Sequence, residues 1–254
     1  VHFVVSHQKY SELAELAGSF IHEIKNHLST LGLNLQLLVE DFQEPQNPRE
    51  RRALERIQRL QGECQSVIDV SNDFLRFARV IDLEFVTVHL GTVIEEMIDF
   101  FAPTARQGNV EIQRYIPADL PAVRIDRELF KQALLNLMLN ALQAMPEGGS
   151  LIFQATTETT PNAPGSAVIC LSVIDTGKGM RPEMLSRVFR PFFSTKPGGT
   201  GLGLPTTRKI IEAHGGSIEV QSESDRGTKF SIRLPAACQA ESTTGPSDRT
   251  QKEA

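Results

Sequence analysis

Through the first part of the chain, apolar residues recur every three or four positions, at Leu13, Leu16, Phe20, Ile24, Leu28, Leu31, Leu35 and Leu38. That is the spacing of one face of an amphipathic α-helix. Pro45, Asn47 and Pro48 end the run with turn residues. A second run follows at Ile57, Leu60, Cys64, Val67, Ser71, Phe74 and Ala78, with steps close to a heptad seam. Two long helices with a short break predict an antiparallel hairpin. Its apolar stripe is too extensive to face water alone, so pairing with a second copy into a four-helix bundle is expected. The competing expectation is that the stripe packs on the rest of the same chain.

From about Phe85 the texture changes. β-rich runs are expected at Phe85–Leu90, Val110–Tyr115, Ala122–Ile125, Leu151–Thr156, Val168–Ile174, Ser217–Val220 and Lys229–Leu234. Helical patterns lie between them at Gly91–Arg106, Asp126–Met145 and Leu204–His214. Mixed in this way, they predict an α/β layered domain. The polar, small-residue segment Ala237–Ala254 reads as a disordered tail. The expected division is therefore 1–82 helical hairpin, 83–236 α/β domain and 237–254 tail.

Composition narrows the function classes. With 26 Lys and Arg against 31 Asp and Glu, the net charge is −5, so no basic field points to nucleic acid. The three cysteines, Cys64, Cys170 and Cys238, are far apart and form no CxxC pair, which argues against a disulfide framework or a zinc knuckle. A reducing, cytoplasmic compartment is expected. No run of about 18 apolar residues exists to span a membrane, and VHFVVSHQKY lacks the features of a signal peptide.

Three segments carry candidate chemistry. In Val173-Ile-Asp-Thr-Gly-Lys-Gly-Met180 an apolar strand ends at Asp175, where a carboxylate can accept a hydrogen bond from an exocyclic amine. Gly177 and Gly179 then let the backbone turn and approach a ligand, although alone they also fit a plain strand-to-loop turn. Gly198-Gly-Thr-Gly-Leu-Gly-Leu204 precedes a helical run, with Pro205 in its first turn and His214-Gly-Gly216 at its exit. Such a loop, backed by a helix N-terminus, cradles phosphate oxygens; the alternative is a flexible surface loop. It is neither a dinucleotide fingerprint nor a GxxxxGK[ST] loop. Finally, Asn136 and Asn140 share a helix face, with Gln143 one turn further on. Amide oxygens suit Mg²⁺ bridging nucleotide phosphates, while buried amides bonded to a neighbouring strand are the alternative.

These segments resemble, in order and spacing, the nucleotide boxes of the bacterial sensor histidine kinases, closest to the nitrogen-regulation type. Asn136 and Asn140 are similar to the N box, and Asp175-Thr-Gly-Lys-Gly179 to the G1 box, whose Asp takes the adenine amine. Phe189-Arg-Pro-Phe-Phe193 resembles the F box. Gly199-Thr-Gly-Leu-Gly203 resembles the G2 box, which brings in Thr200, Gly201 and Leu202. The resemblance covers roughly residues 10 to 236. It implies the Bergerat (GHKL) ATP-binding fold, an α/β sandwich, with ATP and Mg²⁺ as ligands and Ser194–Gly198 in a mobile lid. Lys196 in that lid can reach a γ-phosphate. Phe192 and Phe193 read as core aromatics supporting the lid.

Phe20-Ile-His-Glu-Ile-Lys-Asn-His-Leu28 resembles the family's H box. His22 is two residues from both Phe20 and Ile24, about 200° round the helix from each. It therefore leaves the apolar stripe and shares a polar face with Lys25, Asn26 and Ser29. An imidazole with one free nitrogen is a good nucleophile, and Glu23 can take the proton of the other nitrogen. The expected reaction is attack of His22 on the γ-phosphoryl of ATP, followed by transfer to an Asp on a response-regulator receiver domain. The resemblance implies a second, phosphatase activity, in which Asn26, four residues after His22, holds a water for hydrolysis of that aspartyl phosphate. The family commonly has Pro where this chain has His27, so the helix here need not kink. His27 is also a rival acceptor.

Two alternatives compete. A Bergerat-fold ATPase of the chaperone, topoisomerase or mismatch-repair type usually places a water-activating Glu where this chain has Asn136, and Asn is no general base. A non-catalytic regulatory dimer that binds ATP has no need of a complete set of boxes.

Overall fold

A computed structural model describes residues 24–78, 82–159, 167–196 and 199–237. Residues 24–41 form helix α1, and α2 runs over Pro48–Ala78. Asn47 starts α2: its Oδ1 accepts the N–H groups of Arg49 and Glu50, both at 3.0 Å, and Glu50 reaches back to the Gln46 N–H at 2.6 Å. This is a reciprocal cap with Pro48 in the first turn. The Gln61 side chain donates across to Gln36 Oε1 at 2.7 Å and bridges the two helices.

The expected stripe is only partly covered within one chain. Leu35, Cys64 and Ser71 are buried, whereas Leu31, Leu38, Leu60 and Val67 are exposed; Leu13, Leu16 and Phe20 lie outside the described residues. Cys64 and Cys170 are free thiols. Among the described residues no helix is long and apolar enough to cross a membrane.

The α/β part comprises β1 (Val86–Val88), α3 (Leu90–Gln107), β2 (Val110–Tyr115), β3 (Val123–Ile125), α4 (Arg127–Ala144), β4 (Gly149–Thr159), β5 (Ala167–Asp175), α5 (Pro182–Leu185), α6 (Gly203–Ala213), β6 (Ser217–Ser222) and β7 (Thr228–Pro235). The main sheet is mixed, in the order β2-β4-β5-β7-β6. Only β2 and β4 are parallel, Val110 opposite Gly149, because α4 carries the chain over between them. β1 and β3 form a small antiparallel pair.

One sheet face is buried. Leu151, Phe153 and Ala155 of β4 point inward while Gln154 is exposed, the alternation of a strand covered on one side. That face meets Phe101 of α3, Phe130, Leu134 and Met138 of α4, and Ile210 and Ile211 of α6 in one core.

Within the described residues the expected elements of the α/β part are present with modest boundary shifts, while the start of the expected first helix and the tail from 238 on lie outside them. Leu90 begins α3 rather than ending β1, and Pro103 is accommodated inside α3. The single turn α5, introduced by Pro182, has too few residues for a periodic signal.

Candidate functional site

Asp126 anchors the N-terminus of α4. Its Oδ1 accepts the Leu129 N–H and its Oδ2 the Glu84 N–H, each at 3.0 Å, while its own N–H is donated to His214 Nε2 at 2.9 Å. His214 is buried, and its Nδ1 lies 2.7 Å from the Ile210 carbonyl. With Nε2 accepting, Nδ1 must be the protonated nitrogen of a neutral ring. The His-Gly-Gly stretch thus fixes α6 against α4. Between the two helices, Asn136 Nδ2 donates to the Gly203 carbonyl at 3.3 Å and to Thr207 Oγ1 at 3.4 Å.

Asp175 ends β5 almost fully buried, with Oδ1 accepting the Gly177 N–H at 2.9 Å. Burial pushes its pKa up, against the backbone N–H groups of Gly177 and Thr228. A side chain at 177 is barred, because a Cβ would sit 2.6 Å from the Ala144 carbonyl oxygen. Lys178 donates its N–H to that same carbonyl at 3.0 Å, so the turn after β5 is seated on the end of α4.

The loop before α6 is equally constrained. Gly201 has φ +67°, and a Cβ there would lie 2.6 Å from the Phe192 carbonyl carbon. The Thr200 hydroxyl donates to Asp73 Oδ2 on α2 at 2.8 Å and accepts the Leu202 N–H at 3.3 Å. Lys196 Nζ donates to Asn140 Oδ1 at 2.8 Å and Gln143 Oε1 at 2.6 Å. Burial lowers the pKa of this lysine, with repulsion from Lys178 adding and attraction to Asp175 opposing.

These groups surround a cavity of about 340 Å³ lined by Asn136, Asn140, Gln143, Asp175, Gly179, Lys196, Thr200, Gly201 and Gly203, all expected from the sequence. The size suits a small organic ligand. Gly177 and Leu202 do not line it. Gly177 supports Asp175 from below, and the Leu202 side chain is wholly buried, anchoring the loop instead of meeting a ligand.

Asn136 and Asn140 both line the cavity, as their shared helix face suggested. The Asn136 amide nitrogen donates to the start of α6, and Gln143 stands beside Asn140 at the Lys196 ammonium. The Asn140 and Gln143 oxygens do receive a cation, the Lys196 ammonium, so this oxygen pair is of the right chemistry for Mg²⁺. Among the described residues no group of three or more His, Cys, Asp or Glu offers another metal site.

Phe192 and Phe193 are not core aromatics. Phe192 has φ +62° and is largely exposed; its ring stacks on Phe74 of α2, with centroids 6.3 Å apart. Phe193 lies under the Arg187 guanidinium at 4.4 Å. It is Phe189 that packs inward, edge-on to Phe230.

His22 and Glu23 lie outside the described residues. On α1, Asn26 and Ser29 are exposed and Lys25 is half-buried. His27 is exposed as well and is not withdrawn by its neighbour Leu28. Sequence reasoning missed Asp73, which lines the cavity from α2, and no local signal marks it.

Residues 125–237 match the family described as histidine kinase-, DNA gyrase B-, and HSP90-like ATPase. A sensor histidine kinase, ZraS of Salmonella typhimurium, is 31% identical over 228 residues, covering 90% of this chain and 47% of ZraS. The crystal structure of full-length ShkA in complex with AMPPNP superposes with a TM-score of 0.66 at 26% identity, over 88% of this chain and 46% of ShkA. The catalytic domain of histidine kinase ThkA, in a nucleotide-free form, gives 0.53 at 32% identity, over 60% of this chain and 96% of that domain.

The chain belongs to the sensor histidine kinase family, with a GHKL-type ATP-binding domain. It spans about half the length of the ZraS relatives it matches.

Proposed function

We propose that this chain is an ATP-dependent protein-histidine kinase of a two-component system, phosphorylated on His22 and passing the phosphoryl group to an Asp of a response-regulator receiver domain. The reading divides the chain into a dimerisation and phosphoacceptor hairpin (1–82), a catalytic ATP-binding domain (83–236) and a tail (237–254). One observation carries it: Asp73 of the helical segment lines the same cavity as Asn140, Asp175 and Lys196, so the hairpin that bears the H-box sequence adjoins the nucleotide site.

In this account Asp175 accepts the adenine amine. Backbone N–H groups at Gly199–Gly203, with α6 behind them, face the phosphates. Asn140, with Gln143 beside it, would hold the metal through its amide oxygen. Magnesium, when bound with the nucleotide, neutralises phosphate charge. The unprotonated nitrogen of His22 forms the N–P bond as the bond from the γ-phosphorus to ADP breaks, and Glu23 takes the ring proton. Asn26 orients a water against the aspartyl phosphate of the regulator, giving a second, phosphatase activity. The exposed Leu31, Leu37, Leu38, Leu60 and Val67 support a homodimeric four-helix bundle. Cytoplasmic placement agrees with the free thiols at Cys64 and Cys170.

The discriminating experiment follows γ-labelled ATP with and without receiver domains. A kinase first labels itself, then loses the label to a receiver. An ATPase releases inorganic phosphate without labelling itself, and a binding module does neither.

A further inference from the structure

The Lys196 ammonium donates to two amide oxygens three residues apart on α4, Asn140 Oδ1 at 2.8 Å and Gln143 Oε1 at 2.6 Å. Residues at that spacing share a helix face, and both turn oxygen, the hard end of the amide, toward one positive charge. The lysine follows Ser194 and Thr195, which line the same cavity, so the contact ties that segment to α4 beside the nucleotide site. An ammonium and a divalent ion on the same amide oxygen would stand only a few ångströms apart, where like charges repel strongly. Lys196 is half-buried there, and burial is the main cause lowering its pKa.

We propose that Lys196 and the divalent ion are alternative occupants of the Asn140 amide oxygen, so that nucleotide enters by cation exchange. The metal takes the oxygen, and Lys196, with its loop, is handed over to the phosphates. Until then the lysine is the site's own counter-cation and the tether of the loop. No bond is made or broken beyond hydrogen bonds and coordination. The inference rests on the ATP reading of the site and states what occupies the Asn140 oxygen before nucleotide arrives.

The test is calorimetric binding of ADP to the whole chain, once with excess Mg²⁺ and once with EDTA, for the unmodified protein and Lys196→Met. Exchange predicts that the ratio of the two affinities rises about fivefold or more in Lys196→Met, the scale of a real coupling between two groups. The metal then displaces nothing, and metal-free ADP loses a phosphate partner. Hydrogen exchange on the nucleotide-free protein is the second readout. Amides 199–201 exchange faster in Lys196→Met and also in Gln143→Leu, which removes one acceptor and leaves the lysine. An affinity ratio that is unchanged or lower in Lys196→Met, with ADP still bound, overturns the exchange and leaves the ATP reading intact. Unchanged amide exchange in both variants overturns the tether. Absence of ADP binding by the unmodified chain overturns the ATP reading and this inference with it.

Discussion

Asp73, near the end of α2, accepts a hydrogen bond from the Thr200 hydroxyl at 2.8 Å, which joins the helical segment to the glycine loop of the nucleotide site. The contact is reinforced on both sides. Phe74 stacks on Phe192, and Lys209 of α6 donates to the Phe77 carbonyl at 2.7 Å. A carboxylate is thereby held at the edge of a cavity assigned to a polyphosphate.

Removing that charge favours nucleotide. Asp73→Asn keeps an acceptor for Thr200 and deletes the negative charge. ATP affinity is expected to rise about fivefold, the ~1 kcal/mol of one charge pair at short range in a wet site. Titration of both proteins with ATP checks this, and equal affinities would mean that Asp73 does not face the phosphates.

The pH dependence of binding follows from Asp175. Burial raises its pKa, so on acidification it takes up a proton earlier than an ordinary aspartate. The protonated acid has lost its charge and is a weaker acceptor for the adenine amine. Nucleotide affinity should therefore fall as pH drops through this raised pKa, with a midpoint above the usual value of about 3.9. For the fold the sign is reversed. The folded state binds this proton more tightly than the unfolded state, so Asp175 favours folding below its unfolded pKa, and that contribution is lost as pH rises through the raised one. Asp175→Asn should flatten the acid limb of the binding curve and raise the melting temperature at neutral pH.

Two glycines of one loop should behave differently. Gly201→Ala places a Cβ 2.6 Å from the Phe192 carbonyl carbon at φ +67°. The left-handed backbone alone costs about 1–2 kcal/mol, and nucleotide binding should be lost as the loop shifts. At Gly203 a Cβ meets nothing closer than Asn136 Cγ at 3.9 Å, so Gly203→Ala should melt close to the unmodified protein. Thermal melts and ADP titrations of the pair test the contrast.

The uncovered stripe on the hairpin predicts self-association. Leu38 and Leu60 are both exposed, the latter at 55%. Leu38→Glu with Leu60→Glu should convert a dimer to a monomer in sedimentation velocity while ADP binding persists. A monomeric unmodified chain would contradict the bundle.

Most of the fold was legible because each signal was local. The three-four spacing located α2, the alternation of Leu151, Phe153 and Ala155 located β4, and Asp126, Pro205 and the glycines marked turns and ends. The nucleotide boxes were legible for the same reason: Asp175 and Gly177 act within one turn of chain. What failed was tertiary. Helix spacing put Asn136 and Asn140 on one face, but the bond from the Asn136 amide nitrogen to Gly203 depends on the packing of α6 on α4 and has no local signal. Likewise the Phe192-Phe193 pair looked like core, yet the left-handed turn at Phe192 points its ring out to Phe74. Asp73 is 127 residues from Thr200, beyond any sequence window.

The account stands or falls on His22 as the phosphoryl acceptor. The most direct measurement incubates the unmodified chain, His22→Gln and His27→Gln with γ-labelled ATP and then exposes each to acid. Acid-labile label on the unmodified chain and on His27→Gln, none on His22→Gln, and equal ATP affinity in all three is the predicted result. Undiminished label on His22→Gln, or label that survives acid, would contradict it.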